Sequence, residues 1–111
     1  MPVVLDKNLF TVFVEWEVDT QQQLAFISAV ADLVESFKTY RGFVSASFHC
    51  SEDGKRVVNY AQWQSKEDWQ NAFQAPGREG VTTAIFDVIK QCNAKPVVTE
   101  GFYIVRMVEN R

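Results

Sequence analysis

The stretch VVNYAQW, residues 57–63, alternates like a β-strand yet carries an amide and an indole on one side. Successive strand side chains point to opposite faces, so Asn59 and Trp63 share a face with Val57 and Ala61. A buried polar group without a hydrogen-bond partner costs about 1–3 kcal/mol. This face of the strand therefore either supplies internal partners for the amide and the indole N–H or meets a polar ligand.

A β-hairpin is predicted around this strand. Residues 43–51 have the composition of a strand, and the pair Asp53-Gly54 follows them. Tight hairpin turns favour Asp-Gly because both central residues need positive φ. Residues 56–64 are then expected to pair antiparallel with residues 43–51.

The order of all segments predicts a ferredoxin-like α+β fold. Period-two alternation marks the strands, and apolar residues at spacings of three and four mark the helices. The predicted strands are 9–18, 43–51, 56–64 and 97–109; the predicted helices run from an Asp19 or Thr20 cap to near Gly42, from a Ser65 cap to Phe73, and from Gly80 to Asn93, stopped by Pro96. This βαββαβ order gives a four-stranded antiparallel sheet with helices on one face. Residues 1–111 are expected to be a single domain with its core at 9–109.

The composition argues against several classes of function. The 111 residues carry a formal net charge of -3 and no basic cluster, which argues against nucleic-acid binding. No apolar run reaches the roughly 20 residues that a membrane helix needs, and the N-terminus lacks the order of a signal peptide. We therefore expect a cytoplasmic protein that binds neither nucleic acid nor membrane.

The cysteines and the histidine indicate no metal site. Cys50 and Cys92 lie far apart without a CxxC pattern, so both are expected to be small buried side chains. The single histidine, His49, cannot build a zinc site or a catalytic triad by itself. It is expected to have a structural or surface role or, as a substrate-binding candidate, to contact a ligand.

Apolar side chains point to both faces of the predicted strands, although helices cover only one face. Phe13 opposes Val12, and Tyr103 opposes Phe102. An uncovered sheet face of this kind exceeds the apolar area that monomers usually expose. The expected arrangement is a homodimer whose two sheets face each other as a dimeric α+β barrel.

Two neighbouring motifs carry a family resemblance. GFVSASFH, residues 42–49, and DGKRVVNYAQWQS, residues 53–65, place a Gly-Phe strand, an Asp-Gly turn, an N-Y-x-x-W strand and a Ser-capped helix in one order. In this order the chain resembles the antibiotic biosynthesis monooxygenase family, whose members are small dimeric α+β barrel proteins. The resemblance in layout covers about residues 9–109 and is most specific between residues 42 and 73.

The resemblance implies a cofactor-independent monooxygenase. Such family members oxidise a small aromatic quinol, phenol or anthrone-like substrate with O2, using no flavin, haem or metal. The deprotonated substrate reduces O2 itself, while the protein binds the ring and stabilises the anion in a dry site. By this resemblance the catalytic residues are Asn59, which would donate its amide N–H to the substrate oxygen, and Trp63, which would supply an N–H and a flat wall.

Three features depart from the anthrone oxygenases and the related haem-degrading branch of the superfamily. The position that holds a Tyr in the anthrone oxygenases corresponds to Trp69, which has no phenol hydroxyl. The basic residue that those enzymes use further along is missing between Arg78 and Lys90. Residues 66–95 contain no His, which the haem-degrading branch needs as its iron ligand, so that branch is disfavoured.

Three more residues are substrate-binding candidates. Trp69 and Phe73 lie one helical turn apart and form either part of the core or a pocket wall. Arg106 stands in an otherwise apolar strand row, where it contacts substrate, extends its charged end to solvent, or pairs with Glu15 or Glu17 across the sheet.

Competing interpretations use the same residues. One is a non-catalytic barrel that binds a hydrophobic metabolite, and another is an enolising isomerase of the same fold. In a purely structural interpretation, Asn59 is a satisfied strand amide and Trp63 packs in the core. An enclosed cavity of roughly 300 Å³ or more beside these two side chains would favour a binding site over a filled core.

Overall fold

Four antiparallel strands and three α-helices make up the described part of the chain, residues 9–106, 108 and 110 of a computed structural model. The strands are β1 (Phe10–Glu17), β2 (Phe43–Cys50), β3 (Arg56–Trp63) and β4 (Lys95–Tyr103), and the helices are α1 (Gln23–Val34), α2 (Lys66–Ala72) and α3 (Arg78–Gln91). The 3-10 segments Thr20–Gln22 and Glu35–Thr39 flank α1. The sheet order β2-β3-β1-β4, with every pair antiparallel, confirms the predicted ferredoxin-like fold.

The hydrophobic core lies between the helices and one face of the sheet. The antiparallel register pairs Val12 with Ala61 and Trp16 with Val57, so alternate side chains of β1 and β3 point into the same layer. The buried apolar core consists of Phe10, Val12, Trp16, Val18, Phe26, Val30, Val34, Phe37, Val57, Ala61, Trp63, Ala72, Cys92 and Ala94. Within the described part of the chain, none of the helices has the length and apolar content needed to cross a bilayer.

The β2–β3 hairpin forms as predicted, but its turn chemistry differs. Gly54 alone takes positive φ, at +77°, and its N–H donates to the carbonyl of Ser51. Asp53 keeps a negative φ, and its carboxylate accepts from Ser51 Oγ at 2.7 Å and from the Lys55 N–H at 3.0 Å. The turn is therefore stabilised by an aspartate side chain and one left-handed glycine, because the connection is longer than a two-residue turn.

The start of α2 agrees with the predicted cap, whereas the start of α1 and the end of α3 differ from the prediction. Ser65 Oγ accepts from the Asp68 N–H at 3.0 Å and caps α2 as predicted. Neither predicted cap of the first helix is used, because a 3-10 turn precedes α1 and Asp19 makes no capping hydrogen bond. Helix α3 ends at Gln91, before Asn93 at φ 54°, and Pro96 lies in edge strand β4, where its missing N–H is tolerated.

Strand β4 is shorter than the predicted 97–109. Its partner β1 begins at Phe10, which pairs with Tyr103, so among the described residues the ladder ends at that pair. Residues 104–106 are not part of the strand, and Met107 and Glu109 lie outside the described residues, as do residues 1–8 of the predicted domain.

The two cysteines have different environments and are both free thiols. Cys92 is buried as expected, whereas Cys50 is exposed at the end of β2. The prediction of two buried cysteines is therefore wrong for Cys50.

Candidate functional site

A cavity of about 160 Å³, partly open to solvent, lies between the core face of the sheet and the helices. The side chains that line it are Val12, Val14, Trp16, Val30, Val34, Phe37, Asn59, Ala61, Trp63, Trp69, Phe73, Arg78, Ile85 and Thr99. Apolar and aromatic groups dominate the lining, and the polar exceptions are an amide, a guanidinium and a hydroxyl. The cavity thus contains four of the six predicted site residues.

Asn59 projects into this cavity from the middle of the sheet. It pairs with Val14 on β1 and with Phe48 on β2, and the side chain is only 7% exposed. Its Oδ1 is fully buried and has no hydrogen-bond partner within the described residues. Neighbouring backbone groups are engaged in the sheet ladders, so Asn59, which lines the cavity, keeps a buried acceptor without a partner in the described part of the chain.

Trp63 lies four residues further along the same face of β3. Only 1% of its surface is exposed, and its ring packs edge-on against Phe43 at 5.2 Å and near Phe37 at 6.2 Å between centroids. Trp63 therefore packs in the core and also lines the cavity, and its catalytic role stays a prediction.

Helix α2 supplies the aromatic wall opposite the sheet. The Ser65 cap fixes where this helix begins, which places Trp69 against Phe10 with ring centroids 5.6 Å apart. Phe73 follows one turn later, 5.4 Å from Trp69, and is 50% exposed. Phe73 consequently forms part of the boundary between the cavity and solvent.

Arg78, the first residue of α3, is the functional candidate that sequence reasoning missed. Its guanidinium carbon lies 4.5 Å from the ring centroids of Phe37 and Phe73 and 5.5 Å from that of Tyr40. The residue is 7% exposed, and Nε and Nη1 are buried without a partner in the described part of the chain. Burial lowers the pKa of Arg78, while a guanidinium in a protein keeps its positive charge at neutral pH.

A sequence signal for Arg78 exists in the periodicity of α3. The positions of Val81, Ile85 and Val88 share one face, and one turn further back this face reaches position 78. An arginine on the apolar stripe of a helix is a candidate for a buried cation. Arg78 lies directly before residues 79–89, which contain no basic residue.

His49 lies on the opposite face of the sheet from the cavity. Val44 is an extra residue in β2, since Phe43 pairs with Trp63 but Ser45 pairs with Gln62. This bulge reverses the alternation, so the exposed His49 ring meets Ser47 Oγ at 3.0 Å and the Tyr60 ring at 5.4 Å on the open face. The structure does not bring His49 to the site of Asn59.

Arg106 is also absent from the cavity lining. It is exposed and follows the end of β4, whereas Glu15 and Glu17 pair with Val98 and Lys95 at the other end of that strand. The predicted ion pair across the sheet is therefore wrong, because the strand stops before residue 106.

The cavity is about half the volume expected for a ligand site, 160 Å³ against roughly 300 Å³. A larger cleft of about 600 Å³ lies outside α2, lined by polar residues that include Arg41, Ser65 and Asp68. None of the predicted site residues lines that cleft. The smaller cavity remains the candidate site because two of its lining residues, Asn59 and Arg78, carry buried polar atoms without a hydrogen-bond partner among the described residues.

Chemically, the cavity offers a cation and a hydrogen-bond acceptor within aromatic walls. A guanidinium stabilises an oxyanion strongly in a site from which water is excluded. Among the described residues that line the cavity there is no carboxylate, histidine or lysine to act as a general base. The arrangement is thus suited to binding an aromatic compound that ionises on oxygen, and not to removing a proton with a side-chain base.

The fold and the cavity define a class: small ferredoxin-like α+β proteins with an aromatic cavity between sheet and helices. The chain belongs to the antibiotic biosynthesis monooxygenase family, whose model matches residues 9–80. The family resemblance of the two hairpin motifs is thereby confirmed.

Named relatives agree with this assignment. Over 69 residues the chain is 41% identical to tetracenomycin-F1 monooxygenase of Streptomyces glaucescens, a match that covers 62% of this chain and 57% of that protein. The chain thus spans little more than half of that relative's length.

Solved structures with the same fold cover nearly the whole chain. A monooxygenase from the ActVA-Orf6 gene of Streptomyces coelicolor, in complex with the ligand nanaomycin D, superposes with a TM-score of 0.73 at 25% identity, covering 95% of both chains. A mutant of SnoaB, a cofactor-independent oxygenase from Streptomyces nogalater, gives a TM-score of 0.73 at 18% identity, covering 93% of this chain and 99% of that one.

Proposed function

We propose that this protein is a cofactor-independent monooxygenase that oxidises an ionisable aromatic substrate, a quinol, phenol or anthrone-like compound, with O2. The observation that carries the proposal is that two residues lining one aromatic cavity have buried polar atoms without a partner among the described residues: Asn59 Oδ1 and the Nε and Nη1 of Arg78. Membership of the monooxygenase family and the names of two similar proteins support it.

In the proposed complex, Arg78 donates to the substrate oxygen that carries negative charge. A nearby cation lowers the pKa of a phenol, so the substrate binds as phenolate and its proton passes to solvent. Asn59 presents an acceptor, and it therefore accepts from a second hydroxyl of the substrate instead of donating to the oxyanion. Trp63, Trp69 and Phe73 flank the ring and exclude water.

The reaction then needs only the bound anion and O2. The phenolate gives one electron to O2, and the resulting superoxide and phenoxyl radical combine to form a C–O bond at a ring carbon that carries hydrogen. The peroxide O–O bond breaks next, with loss of that hydrogen as a proton, and the leaving oxygen departs as water. One oxygen atom thus enters the substrate as a quinone carbonyl, the other becomes water, and the substrate is the sole reductant.

Asn59→Leu is expected to reduce kcat/KM for aerobic oxidation of a quinol or anthrone by about 10–100-fold. A hydrogen bond between protein and substrate of this kind contributes on the order of 1–3 kcal/mol, and leucine keeps the volume while removing the acceptor. Oxygen uptake, corrected for spontaneous oxidation of the substrate, measures the effect. The matched control is Asn71→Leu, because Asn71 lies exposed on α2 and outside the cavity. Equal rates for both variants and the wild type would contradict the proposed site.

Non-catalytic binding of a hydrophobic metabolite is the second candidate. It is favoured by the lack of a carboxylate, histidine or lysine among the described cavity residues, since binding requires no base. The same observation disfavours the enolising isomerase, which must move a proton between carbon atoms. A ligand that binds and is recovered unchanged, without oxygen uptake, would establish the binding function.

We further propose that two copies of the chain pack through the open face of the sheet. Phe13 lies 5.2 Å from the Tyr60 ring and 6.4 Å from the Phe102 ring on this face, beside a groove of about 520 Å³. Tyr60 and Phe102 are 43% and 49% exposed. An aromatic patch without a covering helix fits a second sheet of the same kind, which would remove it from water.

Tyr60→Glu is expected to shift the protein from dimer to monomer. A carboxylate placed at the centre of a sheet-to-sheet interface would be desolvated without a partner, which disfavours association. Sedimentation velocity at micromolar concentration measures the change, with Phe86→Glu as the control, since Phe86 is 57% exposed on α3. A wild-type protein that sediments as a monomer removes the dimer proposal.

A further inference from the structure

We propose that Tyr40 is a positioning residue that holds the Arg78 guanidinium at the cavity. The inference rests on the proposed function for the role of Arg78, and it adds a residue that does not itself line the cavity. Its basis is the arrangement of three aromatic rings around one buried cation.

The three rings that surround the guanidinium of Arg78 face different pockets. Phe37 belongs to the 3-10 segment after α1, Tyr40 directly follows that segment, and Phe73 ends α2. Phe37 and Phe73 line the cavity, whereas Tyr40 lines the polar cleft outside α2. Tyr40 therefore lies against the cation on the side of the cleft.

The Tyr40 ring is held by contacts that do not involve Arg78. The Tyr40 N–H donates to the carbonyl of Phe37 at 2.9 Å, and the Tyr40 carbonyl accepts from the N–H of Phe43 at 3.3 Å. The rings of Tyr40 and Phe37 lie 5.2 Å apart between centroids. The backbone thus places this ring where the chain leaves the 3-10 segment and approaches β2.

A buried guanidinium needs support of this kind, because it has lost hydration without gaining hydrogen bonds. Nε and Nη1 of Arg78 have no partner among the described residues. An aromatic face within about 6 Å attracts a desolvated cation through the ring quadrupole. The guanidinium carbon lies 5.5 Å from the ring centroid of Tyr40 and 4.5 Å from those of Phe37 and Phe73. The rings therefore stabilise the cation without occupying the N–H groups that a ligand anion would use.

Loss of the Tyr40 ring would open the cation to the outer cleft. That cleft is lined by the carboxylates of Glu67 and Asp68. Guanidinium groups bind carboxylates strongly, and solvent in the cleft would hydrate the charge. Without the Tyr40 ring, the Arg78 side chain is therefore expected to turn towards the cleft and away from the cavity.

The test uses 4-nitrophenol, whose phenol and phenolate forms differ in colour. Absorbance then reports the pKa of the bound probe without turnover. The variants are Tyr40→Phe, Tyr40→Leu, Arg78→Met and the double variant Tyr40→Leu/Arg78→Met. Phe86→Leu is the matched control, because Phe86 is exposed on α3 and does not line the cavity.

The wild type is expected to lower the pKa of bound 4-nitrophenol by about 1–3 relative to the free probe, the usual effect of an opposite charge within about 4–6 Å. Tyr40→Phe keeps this lowering because it retains the ring, and Phe86→Leu keeps it because the site is intact. Tyr40→Leu loses about half of the lowering or more, and Arg78→Met loses all of it.

The double variant decides whether Tyr40 acts through Arg78. Substitutions of coupled residues are not additive, so Tyr40→Leu is expected to have no further effect on the pKa of the bound probe once residue 78 is methionine. Equal effects of Tyr40→Leu in both backgrounds overturn the inference. So does a wild type that fails to bind the probe or to lower its pKa.

A purely structural role of Tyr40 gives a different result. Tyr40→Leu would then lower the melting temperature and leave the pKa of the bound probe as in the wild type, which also overturns the inference. If Tyr40→Leu does not fold, Tyr40→Met, which keeps more of the side-chain volume, takes its place with the same expected and contrary outcomes.

Oxygen uptake with a quinol separates this inference from the proposed function. Tyr40→Leu is expected to lower kcat by about 5–30-fold, the equivalent of a cation–π contact of about 1–2 kcal/mol. The expected pattern of probe pKa values without oxygen uptake from any substrate would support the role of Tyr40 and remove the monooxygenase. Oxygen uptake by Tyr40→Leu with the wild-type kcat and pH profile would leave the monooxygenase standing and overturn the role of Tyr40.

Discussion

Arg78→Met is expected to lower kcat for aerobic oxidation by about 10²–10³-fold, the usual loss when one donor to a developing oxyanion is removed. The guanidinium provides the positive charge of the cavity, and its Nε and Nη1 have no partner among the described residues. Methionine fills a similar volume but offers neither charge nor hydrogen bond. The substrate would therefore have to ionise in an apolar cavity without compensation.

The same substitution is expected to leave the free energy of unfolding unchanged or to raise it. Replacing buried charges by apolar residues of similar size is often neutral or stabilising, because the cost of removing the charge from water disappears. The contacts of the guanidinium with the Phe37 and Phe73 rings offset part of that cost in the wild type. A side chain that is needed for activity but lowers the free energy of unfolding is expected in a binding site.

The pH dependence of the reaction gives Arg78→Met a second readout. A neighbouring cation lowers the pKa of a bound phenol, so its loss raises that pKa and moves the rising limb of the kcat profile to higher pH. Arg41→Met is the control, because the Arg41 side chain is 96% exposed and its Nε lies 4.0 Å from Asp68 Oδ1, outside the cavity. A lowered melting temperature with an unshifted pH profile would assign Arg78 a structural role.

Trp63→Ala is expected to cost about 3–5 kcal/mol of the free energy of unfolding, the range for deleting a buried aromatic side chain. Trp63 is 1% exposed and holds the rings of Phe37 and Phe43 in place. Its removal would join a new void to the existing cavity, and the sheet residues beneath it are too closely packed to fill the space.

Two further variants separate the core role of Trp63 from its role in the cavity. Trp69→Ala is expected to cost less than Trp63→Ala, because Trp69 lines the same cavity but is only partly buried on α2. Trp63→Phe keeps an aromatic ring and removes the N–H, so most of the free energy of unfolding should remain. Any change in the kinetic constants of this variant then measures the contribution of the indole N–H. Urea denaturation followed by circular dichroism measures the stabilities. Equal losses of the free energy of unfolding for Trp63→Ala and Trp69→Ala would show that burial does not determine the size of the loss.

Local patterns in the sequence predicted the order of elements and the shared face of Asn59 and Trp63. Backbone geometry fixes both periodicities, since a strand repeats every two residues and a helix every 3.6. The Ser65 cap is equally local, because its hydroxyl reaches an N–H only three residues away. These features need no knowledge of distant parts of the chain.

The tertiary structure decided which residues meet and how much space they leave. The bulge at Val44 placed His49 on the open face, and the start of β1 set the end of β4 before Arg106. The burial of Arg78 among aromatic rings depends on where α3 packs against the 3-10 segment and α2. The cavity volume of about 160 Å³ depends on small changes in the relative positions of elements that are far apart in sequence. Periodicity along the chain therefore does not determine this volume.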